Sequence, residues 1–426
     1  MSETPAPQST PTKPAGKNAF MFVLVCVFID MVAFGLIFPV LPSLLSELTG
    51  DSVESAARYG GFLAAIYALM NFLAGPTIGG LSDRFGRRPV LLASMGTLCV
   101  DFLIMGFAGS VVVLFIGRML SGISGATFST ANAYIADTTT PEARGKAFGM
   151  IGAAFGLGFI IGPVLGGVLG QIDPRAPFFA AAGLALVNMV YGYFVLPESL
   201  PPEKRRPFEW TRANPFGAFQ HFSKIPNVGW LLLALGVFGL AHTVYPAIWS
   251  YHGEYRYGWT PAEIGLSLGF VGLISAVVQG GLTGVVMKRF GAAKTAMIGL
   301  SFNVLAFVGF AFAGTPWLAY AWTLISGFGG FTGPAFNTLI STRTPQDAQG
   351  ELQGAAASIQ SLAAIISPIM MTQTFYAFSG ADARVHFPGA AFLLAGILCA
   401  VAAIPFLVGL RYTGTPPATD TVKDAA

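Results

Sequence analysis

The amino-acid sequence predicts an all-α membrane protein with twelve transmembrane helices in two parallel six-helix repeats. Three observations predict it. The chain is too apolar to cover itself in water: 54% of its residues are hydrophobic and only 10% charged, with mean hydropathy +0.66, whereas a soluble domain carries about 25% charged residues. Its apolar residues fall in runs of about twenty, the length that crosses a bilayer as a helix. Two separate stretches also recur at a single offset of 205 residues.

Taken in order, the predicted spans are 19–42, 59–80, 90–109, 111–137, 146–170, 176–196, 228–251, 261–287, 293–313, 316–341, 351–379 and 387–410. Glycine and proline are frequent inside them, which membrane helices tolerate. A β-barrel would instead show alternating segments of about ten residues. The first eighteen residues, rich in Pro, Thr and Ser, read as a disordered cytoplasmic tail. No cleavable signal peptide is expected, because the first apolar run is too long. Residues 412–426 read as a second disordered tail. Cys26, Cys99 and Cys399 each fall inside an apolar run and read as small buried hydrophobes, with no disulfide or metal spacing.

Orientation follows from Lys and Arg in the loops. One set of loops holds eighteen of the 23, the other set four, and Arg118 lies within a span. The rich side is expected to be cytoplasmic, so both termini and the loop at 79–90 face the cytoplasm. The basic residues are confined to loops and form no nucleic-acid footprint.

The repeat divides the chain. RFGRRPVLLASMG at 84–96 recurs loosely as RFGAAKTAMIG at 289–299, and SGISGATFSTANAYIADTTTPEARG at 121–145 as SGFGGFTGPAFNTLISTRTPQDAQG at 326–350. The first half is read as 19–197 and the second as 228–411, joined by a charged, proline-containing cytoplasmic linker at 198–227. Two parallel repeats are one plan of secondary transporters, with the substrate site between the halves.

The break GGLSDRFGRRPV at 79–90 concentrates charge in an oily chain. Gly79 and Gly80 permit close helix approach. Gly86 permits a tight turn, and Pro89 suits the first turn of a helix. Arg84, Arg87 and Arg88 hold the loop in the cytoplasm, and Asp83 can pair with them or face a neighbouring helix N-terminus. The segment is expected to act as a latch made only while the cytoplasmic ends of the halves are together.

This segment closely resembles the motif that marks transporters of the major facilitator superfamily, and the resemblance covers nearly the whole chain. GRMLSGISGAT at 117–127 resembles that superfamily's arginine motif. GLGFIIGPVLGG at 156–167, with Gly158, Gly162, Pro163, Gly166 and Gly167, resembles its antiporter motif. IDMVAFGLIFPVLPSLL, YGGFLAAIYALMNF, YIADTTTPEARGKAFG and PFFAAAGLALVN resemble the bacterial tetracycline–proton antiporter branch. The resemblance implies a proton-coupled efflux antiporter of amphipathic organic molecules in a bacterial inner membrane. It also implies that Asp30, Asp83, Asp101 and Arg118 match polar residues on which the branch depends. Two positions depart from the branch: Asn303 stands where it has an intramembrane aspartate, and Ser275 where it has a histidine. The same fold also serves uptake symport, and a non-transporting sensor or scaffold is a reading of another class.

Ionisable residues inside a membrane are functional candidates, because each costs at least about 2.5–3.5 kcal/mol. At 1.5 Å per residue, Asp30 lies roughly 15 Å and Asp101 roughly 17 Å from the cytoplasmic face. Arg118 reaches nearly the same level and is expected to pair with Asp101. Asp30 has no basic partner in sequence and is the first choice of proton carrier, with Asp101 second. No acidic residue lies well inside a predicted span of the second half, so proton exchange is expected to run through the first. Asn71, His242, Gln279, Asn303 and Gln360 are neutral polar residues within spans and are candidates for the substrate cavity.

There is no GxxxxGK[ST], no HExxH and no GxSxG. ATP-driven transport and soluble catalysis are therefore not expected. The proton is the expected coupling ion, with no other cofactor and no metal. The partners are a small molecule and the bilayer, and the chain is expected to work as a monomer.

Overall fold

The computed structural model describes residues 17–125, 127–139, 141–209, 228–345 and 348–412. The remainder of the two tails and linker residues 210–227 lie outside the described residues. Among the described residues nine helices are long and apolar enough to cross a membrane. One of these, Pro261–Phe312, has 52 residues, about 78 Å of helix against a hydrocarbon core of ~30 Å. Gly291 divides it at φ 76° and ψ 161°. Lys17–Gly35 and the consecutive helices Pro316–Gly329 and Thr332–Thr342 make the remaining crossings. The result is twelve crossings, numbered below as spans 1 to 12.

Spans 1 to 6 are Lys17–Gly35, Val53–Phe85, Arg87–Gly106, Val111–Gly125 with Thr127–Thr138, Pro141–Gly170 and Ala176–Val195. Span 7 is Gly229–His242 with Val244–Tyr257, span 8 runs from Pro261 to Gly291, and span 9 from there to Phe312. Span 10 is the Pro316–Thr342 pair, span 11 Gln349–Ser379 and span 12 Ala390–Tyr412.

The helix packing shows the repeat. In the first half span 1 packs on spans 5 and 6, span 2 on span 4, and span 3 on span 6; in the second half span 7 packs on spans 11 and 12, span 8 on span 10, and span 9 on span 12. These are the same pairings shifted by six. The halves meet where span 2 packs on span 11 and span 5 on span 8. The two interhelical breaks also match in backbone form. Gly86 has φ 106° and ψ 159°, and its partner in the repeat, Gly291, has φ 76° and ψ 161°. A side chain is strained at positive φ, so glycine is the residue that lets the chain reverse here without a loop.

Several element ends differ from the sequence expectation, each for a local reason. Span 1 stops at Gly35 rather than 42. Pro39 removes a helical donor and its ring would clash with the preceding turn, so a turn follows and a short helix, Leu41–Thr49, restarts. Span 5 begins earlier, with Pro141 opening the helix. Span 7 runs to Tyr257 and ends on Gly258 in the left-handed region at φ 66°. That extension carries Glu254 into the last turn of the helix, beyond the predicted span end at 251. All three cysteines are buried and free.

An even number of crossings puts Lys17, Tyr412 and the Gly86 break at one end of the bundle, called here the termini end. Close contacts between the halves gather toward the opposite, far end. The Ser250 hydroxyl donates to the Phe38 carbonyl (2.9 Å), and the Arg58 guanidinium lies 4.5 Å from the Tyr376 ring centroid. Gly167 backs onto the main chain of Pro261 and Ala262, and Gly61 onto Pro368 and Thr372. Toward the termini end, Gly75, Gly79, Gly152 and Gly156 of the first half and Gly280, Gly281 and Gly284 of the second face open space. The described contacts between the halves thus gather at the far end, and the stretch between the halves toward the termini end, where these glycines meet nothing within 4 Å, is called here the gap.

Candidate functional site

Asp30 lies five residues before the end of span 1 at Gly35, where its Oδ1 accepts a hydrogen bond from Asn188 Nδ2 of span 6 (2.9 Å). The same amide also donates to the Cys26 carbonyl (3.2 Å). Asn188 is fully buried and was not singled out from sequence; an asparagine in an apolar run gives no signal until its partner is known. Asp30 also lines a cavity of about 60 Å³ inside the first half, with Phe22, Cys26, Tyr67, Met95 and Ser121. That is room for a few water molecules.

Asp101 reaches the same cavity indirectly. It is fully buried, and the Ser121 hydroxyl donates to its Oδ2. The antiparallel run of spans 3 and 4 brings the two together. Gly117 makes room, because a Cβ there would come within 3.0 Å of Asp101 Oδ1. The expected Asp101–Arg118 ion pair is not formed. The ion pairs of the described residues are Asp83–Arg87, Asp137–Arg87, Glu47–Arg175 and Glu198–Arg205. Arg118, one residue further around span 4, has Asp101, Tyr67 and Tyr251 as its electrostatic neighbours. Similar depth put the two on one level, but Ser121, one turn below Gly117, is the residue that points at the acid.

This geometry assigns the coupling differently from the sequence. In a double-mutant cycle with Asp101→Asn, Ser121→Ala is expected to couple more strongly than Arg118→Ala. Removing one partner of a buried charged hydrogen bond costs about 1–3 kcal/mol. The measurement is thermal unfolding of the four proteins of each cycle in detergent; additivity for Ser121 and coupling for Arg118 would reverse the assignment.

The neutral polar candidates separate by surroundings. Asn303 is buried and committed to helix packing, its Nδ2 donating to Gly299 O (3.0 Å), Gly329 O (3.0 Å) and Thr332 Oγ1 (3.1 Å). It therefore ties span 9 to span 10 and does not line the gap. Asn71 packs beside Tyr67 against Gly125. His242, Gln279 and Gln360 are exposed. Gln279 lies on a π-helical turn, Val278–Leu282, in span 8, a distortion that frequently marks functional sites. Gln360 reaches across to Gly239 of span 7. A row of rings runs along span 1 with the turn after it, span 2 and span 5: Tyr67 to Phe34 (5.9 Å between centroids), Phe34 to Phe38 (5.3 Å), Phe38 to Phe159 (5.7 Å) and Phe159 to Phe155 (6.3 Å).

The glycines of 158–167 serve two contacts at helical spacing. Gly158, Gly162 and Gly166 back onto span 1 at Met31, Val32 and Leu36; Pro163 and Gly167 turn to span 8 of the other half at Gly265 and Pro261. One side of span 5 thus packs within its half and another forms the seam.

Among the described residues the 79–90 segment makes its contacts within the first half and with the linker, so the expected latch between the halves is not among them. Arg87 pairs with Asp83 one turn earlier (2.7 Å) and with Asp137 of span 4 (3.2 Å), and donates to Ser82 Oγ (2.5 Å). Arg88 donates to the Tyr193 carbonyl (2.7 Å), and Arg84 lies over Phe85. Gly79 faces open space, whereas Gly80 faces Phe208 of the linker. Glu198, also missed from sequence because it stands in a charged linker, accepts from the backbone N–H groups of Arg87 (2.9 Å), Arg88 (3.3 Å) and Leu200 (3.0 Å). It satisfies the free donors at the start of span 3 from a distant part of the chain. Glu198→Ala is expected to lower stability by about 1 kcal/mol, as loss of a helix cap does. Asp83→Asn, which removes a partly exposed i,i+4 pair, is expected to cost only about 0.3–0.5 kcal/mol. Thermal unfolding in detergent compares the two.

Among the described residues no cluster of His, Cys, Asp and Glu could hold a metal ion. The chain matches, over residues 23–368, the family described as Major Facilitator Superfamily. It is 40% identical over 360 residues to the tetracycline resistance protein, class C, of Escherichia coli, covering 84% of this chain and 90% of that one. It is 34% identical over 350 residues to the class B protein of Escherichia coli, covering 82% and 86%. Among solved structures, an inward-facing bacterial homolog of the human lysosomal transporter Spinster superposes with TM-score 0.77 at 15% identity, over 94% of this chain and 98% of that one. A multi-pass chain of two matched six-span halves, with buried carboxyls and a gap between halves, is a transporter rather than an enzyme, and it belongs to the Major Facilitator Superfamily.

Proposed function

We propose that this protein exports an amphipathic organic molecule, of the tetracycline type, across a bacterial cytoplasmic membrane in exchange for protons. The observation that carries the reading is the cavity of the first half, which joins Asp30 to the Ser121–Asp101 pair beside a gap bordered by aromatic rings. Buried carboxyls outside any described ion pair load and release protons as their surroundings change. The ring-lined gap accepts a flat, apolar molecule with polar edges. The names of the relatives support tetracycline as the first substrate to try.

In this reading the termini end is cytoplasmic, because the Lys- and Arg-rich loops are there. The gap therefore opens to the cytoplasm, ready to take up substrate and release protons. Rocking of the halves then opens the far end, where the substrate leaves and protons enter. The monomer is the working unit. Proteoliposomes with an imposed pH gradient and a panel of drugs, tetracycline included, test the reading. Accumulation against the drug gradient, driven by protons moving the opposite way, is expected. Drug moving in the same direction as the protons would mean symport.

A further inference from the structure

The far-end seal contains a carboxyl that sequence reasoning left out. The last turns of span 7 present Ser250, Tyr251 and Glu254 to the first half, the spacing of one helix face. Ser250 donates to the Phe38 carbonyl (2.9 Å). The Tyr251 hydroxyl lies on Gly60 of span 2. Glu254 Oε2 accepts from the Ser43 hydroxyl (3.4 Å), on the short helix after span 1. All three contacts join the halves and all must break when this end opens.

Glu254 differs from its two neighbours because it can carry charge. It is half-buried, so it is held in the seal yet remains within reach of protons from the far-end solution. No described cation forms an ion pair with it. The cations of the surrounding elements are engaged elsewhere. Arg58 of span 2 lies over Tyr376, and Arg175 is paired with Glu47. On its own helix, Arg256 extends to Gly314 and His252 is enclosed by Tyr257, Phe375 and Phe392. His386 lies tilted beside Tyr255 (6.3 Å between centroids), which also has Glu54 as an electrostatic neighbour. Tyr251, one turn back, has Arg118 of span 4 and then Glu254 as its electrostatic neighbours.

Enclosing a carboxylate without a cation costs more than enclosing a neutral acid. Closure of the far end therefore favours the protonated form, and by reciprocity protonation favours closure. We propose that Glu254 is a second proton-accepting group of the transport cycle, whose protonation holds the far end shut. This rests on the proton-exchange reading above. It gives that exchange a physical order: after substrate leaves, the far end closes once a proton has been taken.

The test places spin labels at Asp51→Cys and Asp382→Cys, exposed positions at the far end of the two halves, with the native cysteines replaced by alanine. Their separation is measured in nanodiscs from mildly acidic to mildly alkaline buffer. In the parent protein the open fraction is expected to rise with pH, and in Glu254→Gln its slope is expected to fall by up to about tenfold per pH unit, the share of one proton, leaving only the response of the first-half acids. Glu254→Gln keeps an acceptor for Ser43, and Glu254→Asp should restore the response. A parent without pH response, or a Glu254→Gln protein that responds as the parent does, overturns the proposal. Gradient-driven drug flux of the parent is measured alongside. Its absence defeats the proton-exchange reading itself, whereas flux with an unchanged Glu254→Gln response defeats only the role of Glu254.

Discussion

Asp30→Asn is expected to reduce proton-driven transport to the level of empty liposomes while the protein stays folded. The argument is geometric. Asn188 donates to Asp30 Oδ1 at 2.9 Å, and an asparagine at position 30 keeps a carbonyl oxygen there. The replacement matches the protonated acid in shape and adds no volume to the cavity. What it removes is the ability to give up a proton to that cavity. Substrate binding should therefore persist, while substrate no longer drives proton release. Proton release from detergent-solubilised protein on adding drug, compared between parent and Asp30→Asn, checks this. A mutant that releases protons as the parent does would make Asp30 structural and Asp101 the next carrier. Asn188→Ala should give a milder phenotype, since it removes a hydrogen bond but not the titrating group.

Gly167→Ala is expected to hold the far end open. A Cβ at this position meets the carbonyl of Pro261 and comes within 2.9 Å of Ala262 Cα. Both are backbone, so no side chain can rotate away. Overpacking of this kind costs about 1–3 kcal/mol. Within one half such a clash would act on folding. Here it lies between halves that separate during the cycle, so it acts on the open–closed ratio, by about 5- to 150-fold. Labelling of a far-end cysteine by a membrane-impermeant maleimide should rise and drug flux should fall. Gly156→Ala is the control, because nothing lies within 4 Å of a Cβ there. Equal flux in Gly167→Ala and Gly156→Ala would mean that the seam tolerates the extra carbon.

The two predictions act on different links of one mechanism. The first removes a charge that moves, and the second prevents a surface from closing. A transporter of this plan needs both, since proton loading changes the rate only if it biases which end is open. The similar positive-φ backbones of Gly86 and Gly291 show that the halves share a form of interhelical break. Their charges differ: where the first half has Asp83, Arg87 and Arg88, the second has Lys288, Ala292 and Ala293. The Arg87 network and the Glu198 cap therefore belong to the first half alone.

The sequence by itself determined the membrane class, the twelve crossings and the repeat. These depend on local composition and on period, which each segment carries without knowing its neighbours. It also determined where costly groups sit along the chain, so Asp30, Asp101 and the 79–90 charges were legible before any contact was known. Tertiary structure alone decided which partner each group has. Depth along a span is one coordinate, and rotation about the helix is another that the sequence does not supply. Asp101 turned to Ser121 instead of Arg118 for that reason, and Asn303 turned into the seam of spans 9 and 10 instead of the gap. Glu254 was hidden because an apolar run ends where its charges begin, while the helix itself continues to the next residue that can stop it, Gly258. Whether a half-buried acid at the end of a span faces water, lipid or the other half is settled only when two halves, 205 residues apart in the repeat, are brought together.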